Sequence, residues 1–139
     1  MPKSILIVDD SETVRQVVRT FLESKGFQVC GEAADGSQAI ERAMELTPDL
    51  ILLDVAMPGM NGVEAASVLK GRLPKTSIVL FTMFSDSVGQ SLMEALGVNA
   101  VVGKPDGMSK LLECVNNLLG SQPQGQRIPE SNLTLDSER

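Results

Sequence analysis

Asp9-Asp10, Asp54, Thr82 and Lys104-Pro105 are the residues of this 139-residue chain with the makings of a reaction centre. Each stands at the end of a short apolar run: residues 4–8, 49–53, 77–81 and 99–102. Carboxylates brought together repel one another unless a cation joins them. Oxygen-only ligands of this charge suit Mg²⁺, which keeps some of its waters. A hydroxyl and an ammonium beside such a cluster suit a phosphoryl group: metal and lysine neutralise its oxygens, and the hydroxyl and loop amides donate hydrogen bonds. A carboxylate can itself be the nucleophile and form an aspartyl phosphate. Taken singly, each signal has a plainer reading. An Asp-Asp pair after a strand can be a helix N-cap plus a surface acid, Asp54 can cap a loop, and a strand-end Thr can reflect β-propensity. The chemical reading rests on all of them meeting at one place.

What brings them together is an alternation of strands and helices. Residues 4–8 read as a strand buried on both faces. Ser11 caps a helix beginning at Glu12, with Val14, Val17, Val18, Phe21 and Leu22 inward and Gly26 as its stop. A second strand covers 27–33. A second helix starts at Asp35-Gly36-Ser37, turns Ala39, Ile40, Ala43 and Met44 inward, and ends before Pro48. A third strand covers 49–54. Pro58, Gly59, Asn61 and Gly62 make 55–62 a loop. A helix over 63–72, a strand over 77–82, a helix over 86–96 weakened by Gly89, a strand over 99–102 and a helix over 108–119 complete the pattern. Asp106-Gly107 reads as the start of that last helix. Such alternation predicts an α/β, doubly wound parallel sheet with right-handed crossovers, whose ligands bind beyond the carboxyl ends of the strands. The text changes after 119, and 120–139 reads as a disordered tail or linker behind a domain of 1–119.

Composition narrows the chemistry further. The chain has no histidine, which removes Ser-His-Asp and Cys-His triads, imidazole bases and His-ligated zinc. It has no Trp or Tyr, so no stacking platform for single-stranded nucleic acid. A net charge of −6 without a basic stripe disfavours direct nucleic-acid binding. No apolar run is long enough to span a membrane. Cys30 and Cys114, far apart in apolar stretches, read as buried free thiols in a reducing cytosol. The methionines Met57, Met60, Met83 and Met93 read as packing, and Glu12 as a solvated first-turn acid.

The sequence resembles the receiver domain of response regulators in two-component signalling, over residues 3 to about 119. The resemblance is carried by Ile5–Asp10, Pro48–Asp54, Met57–Gly62, Thr82 and Lys104-Pro105, in order and at family-like spacing. It implies the flavodoxin-like fold of that family: a five-stranded parallel sheet in order 2-1-3-4-5 with five flanking helices. It implies Asp54 as phosphoacceptor, and Mg²⁺ held directly by Asp10, Asp54 and the backbone carbonyl of Ala56, with Asp9 acting mostly through water. Lys104 would pair with a phosphoryl oxygen, Thr82 would carry the conformational signal, and the Lys104-Pro105 bond would be cis. The resemblance implies a cytoplasmic receiver whose partner is a histidine kinase or His-containing phosphotransfer protein. The implied output is a downstream protein target bound at the face made by helix 86–96, strand 99–102 and helix 108–119.

The sequence departs from the family pattern at three places. Val101 stands where the family usually has a Tyr or Phe that rotates with the switch. Ala56 and Phe84 stand where relatives can carry polar side chains that position the hydrolytic water, so slow turnover of the phosphoryl group is expected. The rival readings are a receiver-shaped interaction module that is not phosphorylated, and the receiver fragment of a DNA-binding response regulator. A flavin- or nucleotide-binding α/β protein is disfavoured, because Asp9-Asp10-Ser11-Glu12 would repel a phosphate that lacks a metal. A haloacid-dehalogenase-like phosphatase would need a second acid, where Asp54 is followed by Val55 and Ala56. Lacking histidine, the chain can act only as the aspartate side of a phosphoryl relay.

Overall fold

The computed structural model describes residues 2–55, 62–82 and 94–120. In chain order these form β1 (Ser4–Val8), α1 (Glu12–Ser24), β2 (Gln28–Ala33), α2 (Gly36–Leu46), β3 (Leu50–Leu53), α3 (Gly62–Arg72), β4 (Ser77–Thr82), β5 (Ala100–Gly103), a 3₁₀ turn (Lys104–Asp106) and α4 (Gly107–Leu119). Residues 94–96 are also helical, the described end of the expected helix over 86–96. The strands form one five-stranded sheet in order β2-β1-β3-β4-β5, and every pairing is parallel. The expected α/β fold and strand order are therefore observed.

The apolar runs are buried on both faces because alternate residues serve different layers. Leu6, Val8, Ile51, Leu53, Ile78 and Leu80 face α2 and α3. Those helices meet the sheet through Ala39, Ala43, Ala65 and Ala66, all fully buried, and such small side chains let the helix backbones lie close. Ile5, Ile7, Leu50, Leu52, Val79 and Phe81 face the other way, against Val18 and Leu22 of α1 and Leu111 and Val115 of α4. The register then decides what stands at the strand ends. Val8 pairs with Leu53, so Asp9 and Asp54 leave the sheet side by side. Thr82 pairs with Gly103, so Lys104 emerges one residue past Thr82.

The local signals behave as their chemistry requires. Ser11 is the N-cap of α1, its hydroxyl accepting from the Val14 N–H, and Asp35 caps α2 through the Gln38 N–H. Two expected inward residues face out: Val17 is 54% and Met44 43% exposed. A helix turns about 100° per residue, so each points sideways from its buried neighbour, Val18 or Ala43. The expected cis Lys104-Pro105 bond is also corrected, since no described peptide bond is cis. Pro105 lies within the first turn of the 3₁₀ segment, where its fixed φ suits a trans bond and its missing N–H is not needed. Several expectations fall outside the described residues: the Ala56 carbonyl, Met57, Met60, Met83, Met93, Phe84, most of the 55–62 loop, the start of the 86–96 helix and the tail beyond 120.

Candidate functional site

The carboxyl edge of the sheet gathers the charged residues that the strands deliver. One carboxylate oxygen each of Asp9, Asp10 and Asp54 lies within 4.8 Å of the others. Asp9 and Asp54 are buried and Asp10 is exposed, so the cluster has a dry floor and one wall open to solvent. Lys104 reaches in from the far side of β4. Its Nζ donates to Asp9 Oδ2 at 2.9 Å and lies 3.6 Å from Asp54 Oδ2. The ammonium also lies 5.9 Å from the Phe81 ring centroid, a distance at which the ring face attracts a cation.

Partial burial alone would pull the Lys104 pKa down, but the hydrogen bond to Asp9 and the charge of Asp54 outweigh it and hold the ammonium above its usual range. Lys104 therefore stays charged well above neutrality. The contribution of its charge to stability is complete below the ordinary lysine value and is lost only as pH climbs through the raised one.

Asp9 is held at every polar group. Its N–H donates to the Ala33 carbonyl at 3.1 Å, continuing the ladder to β2. Its Oδ1 accepts from the Ser11 N–H at 2.9 Å, its Oδ2 from Lys104, and its carbonyl from Arg15 Nη1 at 2.7 Å. The Asp54 N–H donates to the Val8 carbonyl at 2.9 Å, tying the two acid-bearing strand ends together. On the other side of Asp54 the first turn of α3 comes so near that a Cβ on Gly62 would overlap the Asp54 carbonyl oxygen. The Gly62 N–H donates to the Val55 carbonyl at 2.9 Å. Helix α1 also starts at this edge, and its N-terminal end favours negative charge.

Of the residues singled out from sequence, Asp9, Asp10, Asp54 and Lys104 are thus brought into one cluster. Thr82 is buried at the end of β4, the strand between those that deliver Asp54 and Lys104. Val101 is half-buried on β5 and packs against the core layer under α2 and α3. Cys30 and Cys114 are free, as expected, but only partly buried where full burial was expected, and the burial they have pushes both thiols above their usual range. Two residues had escaped notice, Arg15 and its partner Glu32, and Gly62, expected as a loop residue, instead opens α3 against Asp54. An arginine on an amphipathic helix reads as solvated face, and a single Glu in a strand as an edge residue. Only the register of β1 with β2, which sets Ile7 beside Glu32, brings Glu32 to the acidic turn.

The donor set fits a hard divalent cation. Three carboxylates face one ammonium, all the donors are oxygens, and one acid is open to water. A phosphoryl group needs the same surroundings, with positive charge facing its oxygens and a carboxylate in line.

Comparison with known proteins agrees with this fold. The family model for the response regulator receiver domain matches residues 5–116. The chemotaxis protein CheY of Thermotoga maritima is 33% identical over 122 residues, 85% of this chain and 98% of that protein. The response regulator protein VraR of Staphylococcus saprophyticus is 35% identical over 125 residues, 88% of this chain but 59% of the relative. Among solved structures, the CheX–CheY–BeF3–Mg²⁺ complex of Borrelia burgdorferi contains a chain that superposes with a TM-score of 0.76 at 28% identity, covering 84% of this chain and 89% of that one. The chain belongs to the response regulator receiver domains, the phosphoryl-accepting modules of two-component signalling.

Proposed function

We propose that Asp54 is the phosphoacceptor and that Asp9, Asp10 and Asp54, with the Ala56 carbonyl, hold Mg²⁺, Asp9 mainly through water. The observation that carries this reading is the placement of Lys104 Nζ 2.9 Å from Asp9 and 3.6 Å from Asp54 within the three-carboxylate cluster. The Borrelia CheX–CheY complex with BeF3 and Mg²⁺ supports the same pairing of ligands in a related fold. Bound Mg²⁺ would neutralise the phosphoryl oxygens and relieve the repulsion among the acids.

The chain's own residues do the rest. An Asp54 carboxylate oxygen attacks phosphorus in line as the bond from phosphorus to the donor's leaving atom breaks. Lys104 offers its ammonium to a phosphoryl oxygen, and the hydroxyl of Thr82 turns toward the group and carries the change outward. The donor is a histidine kinase or a His-containing phosphotransfer protein, since this chain has no histidine of its own. The phosphorylated state shifts a pre-existing equilibrium, read by a downstream protein at the face of β5, α4 and the helix ending at 94–96. The setting is the cytoplasm, and no described helix is long and apolar enough to cross a membrane.

Incubation with acetyl phosphate, with and without Mg²⁺, followed by intact-mass measurement tests the reading. The expected result is one added phosphoryl group, dependent on Mg²⁺ and lost in Asp54→Asn. Labelling that survives in Asp54→Asn overturns the assignment of the acceptor. No labelling of the folded wild-type chain under any donor favours an unphosphorylated interaction module.

A further inference from the structure

Arg15 is a half-buried cation beside the acidic cluster, and its described contacts run past the carboxylates of that cluster. Its Nη1 donates instead to the backbone carbonyl of Asp9 at 2.7 Å, and its Nε to Glu32 Oε1 at 2.9 Å. The other oxygen of Glu32 accepts from Arg19 Nη1 at 3.2 Å. Glu32 is therefore held by two arginines of α1, and Arg15 is held by Glu32. The carbonyl that Arg15 grips belongs to the Asp9–Asp10 peptide, and the orientation of that peptide plane sets where the Asp10 side chain leaves the backbone. Asp10 is the exposed member of the cluster and has no strand ladder to hold it.

We infer that Arg15, anchored by Glu32, is a positioning residue: it fixes the Asp9–Asp10 peptide so that both carboxylates face the cation site. The inference rests on reading Asp9, Asp10 and Asp54 as that site. A fork that grips a carbonyl with one nitrogen and a carboxylate with another is arginine's geometry, and lysine cannot reproduce it. Groups that orient metal ligands from behind typically change metal affinity 10- to 100-fold when removed.

The sign of the effect separates this role from simple electrostatics. As a bare positive charge Arg15 repels a divalent cation, so its removal would tighten Mg²⁺. As a positioning residue its removal loosens Asp10 and weakens Mg²⁺. The chain lacks Trp and Tyr, so the readout is a titration of ¹⁵N-labelled protein with MgCl₂, following the amide shifts of residues 9–11 and 54–55, with circular dichroism to confirm folding. The Mg²⁺ dissociation constant is expected to rise about tenfold in Arg15→Ala. It is expected to rise severalfold in Arg15→Lys, which keeps the charge and loses the fork, and which carries the test if Arg15→Ala does not fold. Unchanged or tighter Mg²⁺ binding in Arg15→Ala, or wild-type binding in Arg15→Lys, overturns the positioning role while leaving the cation site standing. A wild-type chain with no saturable Mg²⁺ response, or an Asp54→Asn variant that titrates like wild type, overturns the site and the inference with it.

Discussion

Asp49 and Asp54 flank the same four-residue strand, β3, and they meet opposite environments. Asp49, at the amino edge, accepts from the Ser4 N–H at 2.8 Å and the Ser4 hydroxyl at 3.3 Å. Its own N–H donates to the Ser4 carbonyl, and its carbonyl accepts from the Ser77 N–H at 3.1 Å. It staples the starts of β1, β3 and β4. Asp54, at the carboxyl edge, meets Asp9, Asp10 and Lys104. Neutral donors satisfy a carboxylate and leave it nothing to do, whereas other carboxylates and an ammonium leave it in an unbalanced field that a cation or a phosphoryl group can complete. The residue type is the same, and the edge of the sheet determines its use.

Two glycines of α3 sharpen that contrast most strongly. Gly62 stands where the helix meets the acidic edge. A Cβ there would overlap the Asp54 carbonyl and lie 2.6 Å from Val55 Cα, both backbone atoms that cannot yield cheaply. Gly71, at the far end of the same helix, has open space around it. Gly62→Ala is expected to destabilise by about 3 kcal/mol and to impair labelling of Asp54 by acetyl phosphate. Gly71→Ala is expected to stabilise by about 0.5 kcal/mol, because a helical backbone favours alanine over glycine even near its end. Urea unfolding midpoints of the two variants check this pair. A Gly62→Ala chain as stable as wild type would mean that α3 does not press on the Asp54 backbone.

The staple at the other end of β3 should give a smaller and purely structural effect. Asp49→Ala leaves the Ser4 N–H without its carboxylate acceptor, a loss of about 1–3 kcal/mol. Acetyl phosphate should still label Asp54 in this variant at temperatures where it is folded. Loss of labelling in the folded Asp49→Ala chain would show that the two edges of β3 are coupled and that the division drawn between them is wrong.

The same division explains what could be read in advance. Asp9, Asp54, Thr82 and Lys104 were legible because each ends a short apolar run, and parallel strands buried on both faces must deliver their carboxyl ends to one edge. The strand order was legible only through the family resemblance, since alternation alone does not say which strands are neighbours. Val17 and Met44 were misplaced because a helical stripe has margins that spacing does not resolve. The isomer of Lys104-Pro105 was misjudged because the 3₁₀ turn that contains it, not the dipeptide alone, sets the backbone there. Arg15 and Glu32 were illegible because their meeting depends on the register of β1 with β2 and on the angle at which α1 crosses them.

The amino edge also carries backbone strain, and it does so without chemistry. Thr47 closes α2 in the left-handed region, at φ 40 and ψ 64, and is the non-glycine residue with positive φ among those described. Its N–H donates to the Ala43 carbonyl at 2.8 Å, so the conformation serves as a helix C-cap, a position where glycine is the usual choice. A Cβ in that region costs about 1–2 kcal/mol. Glycine removes the cost but adds freedom to the unfolded chain, which takes back about half of the gain. Thr47→Gly should therefore raise stability by about 0.5–1 kcal/mol and leave Mg²⁺ affinity and Asp54 labelling unchanged. Strained residues tend to gather at functional sites, so this variant asks whether the strain at Thr47 belongs to a mechanism or only to the short turn from α2 into β3. Thermal unfolding and acetyl phosphate labelling of the one variant answer together: a stabler chain with unaltered labelling places the strain in the turn, and altered labelling would join Thr47 to the switch.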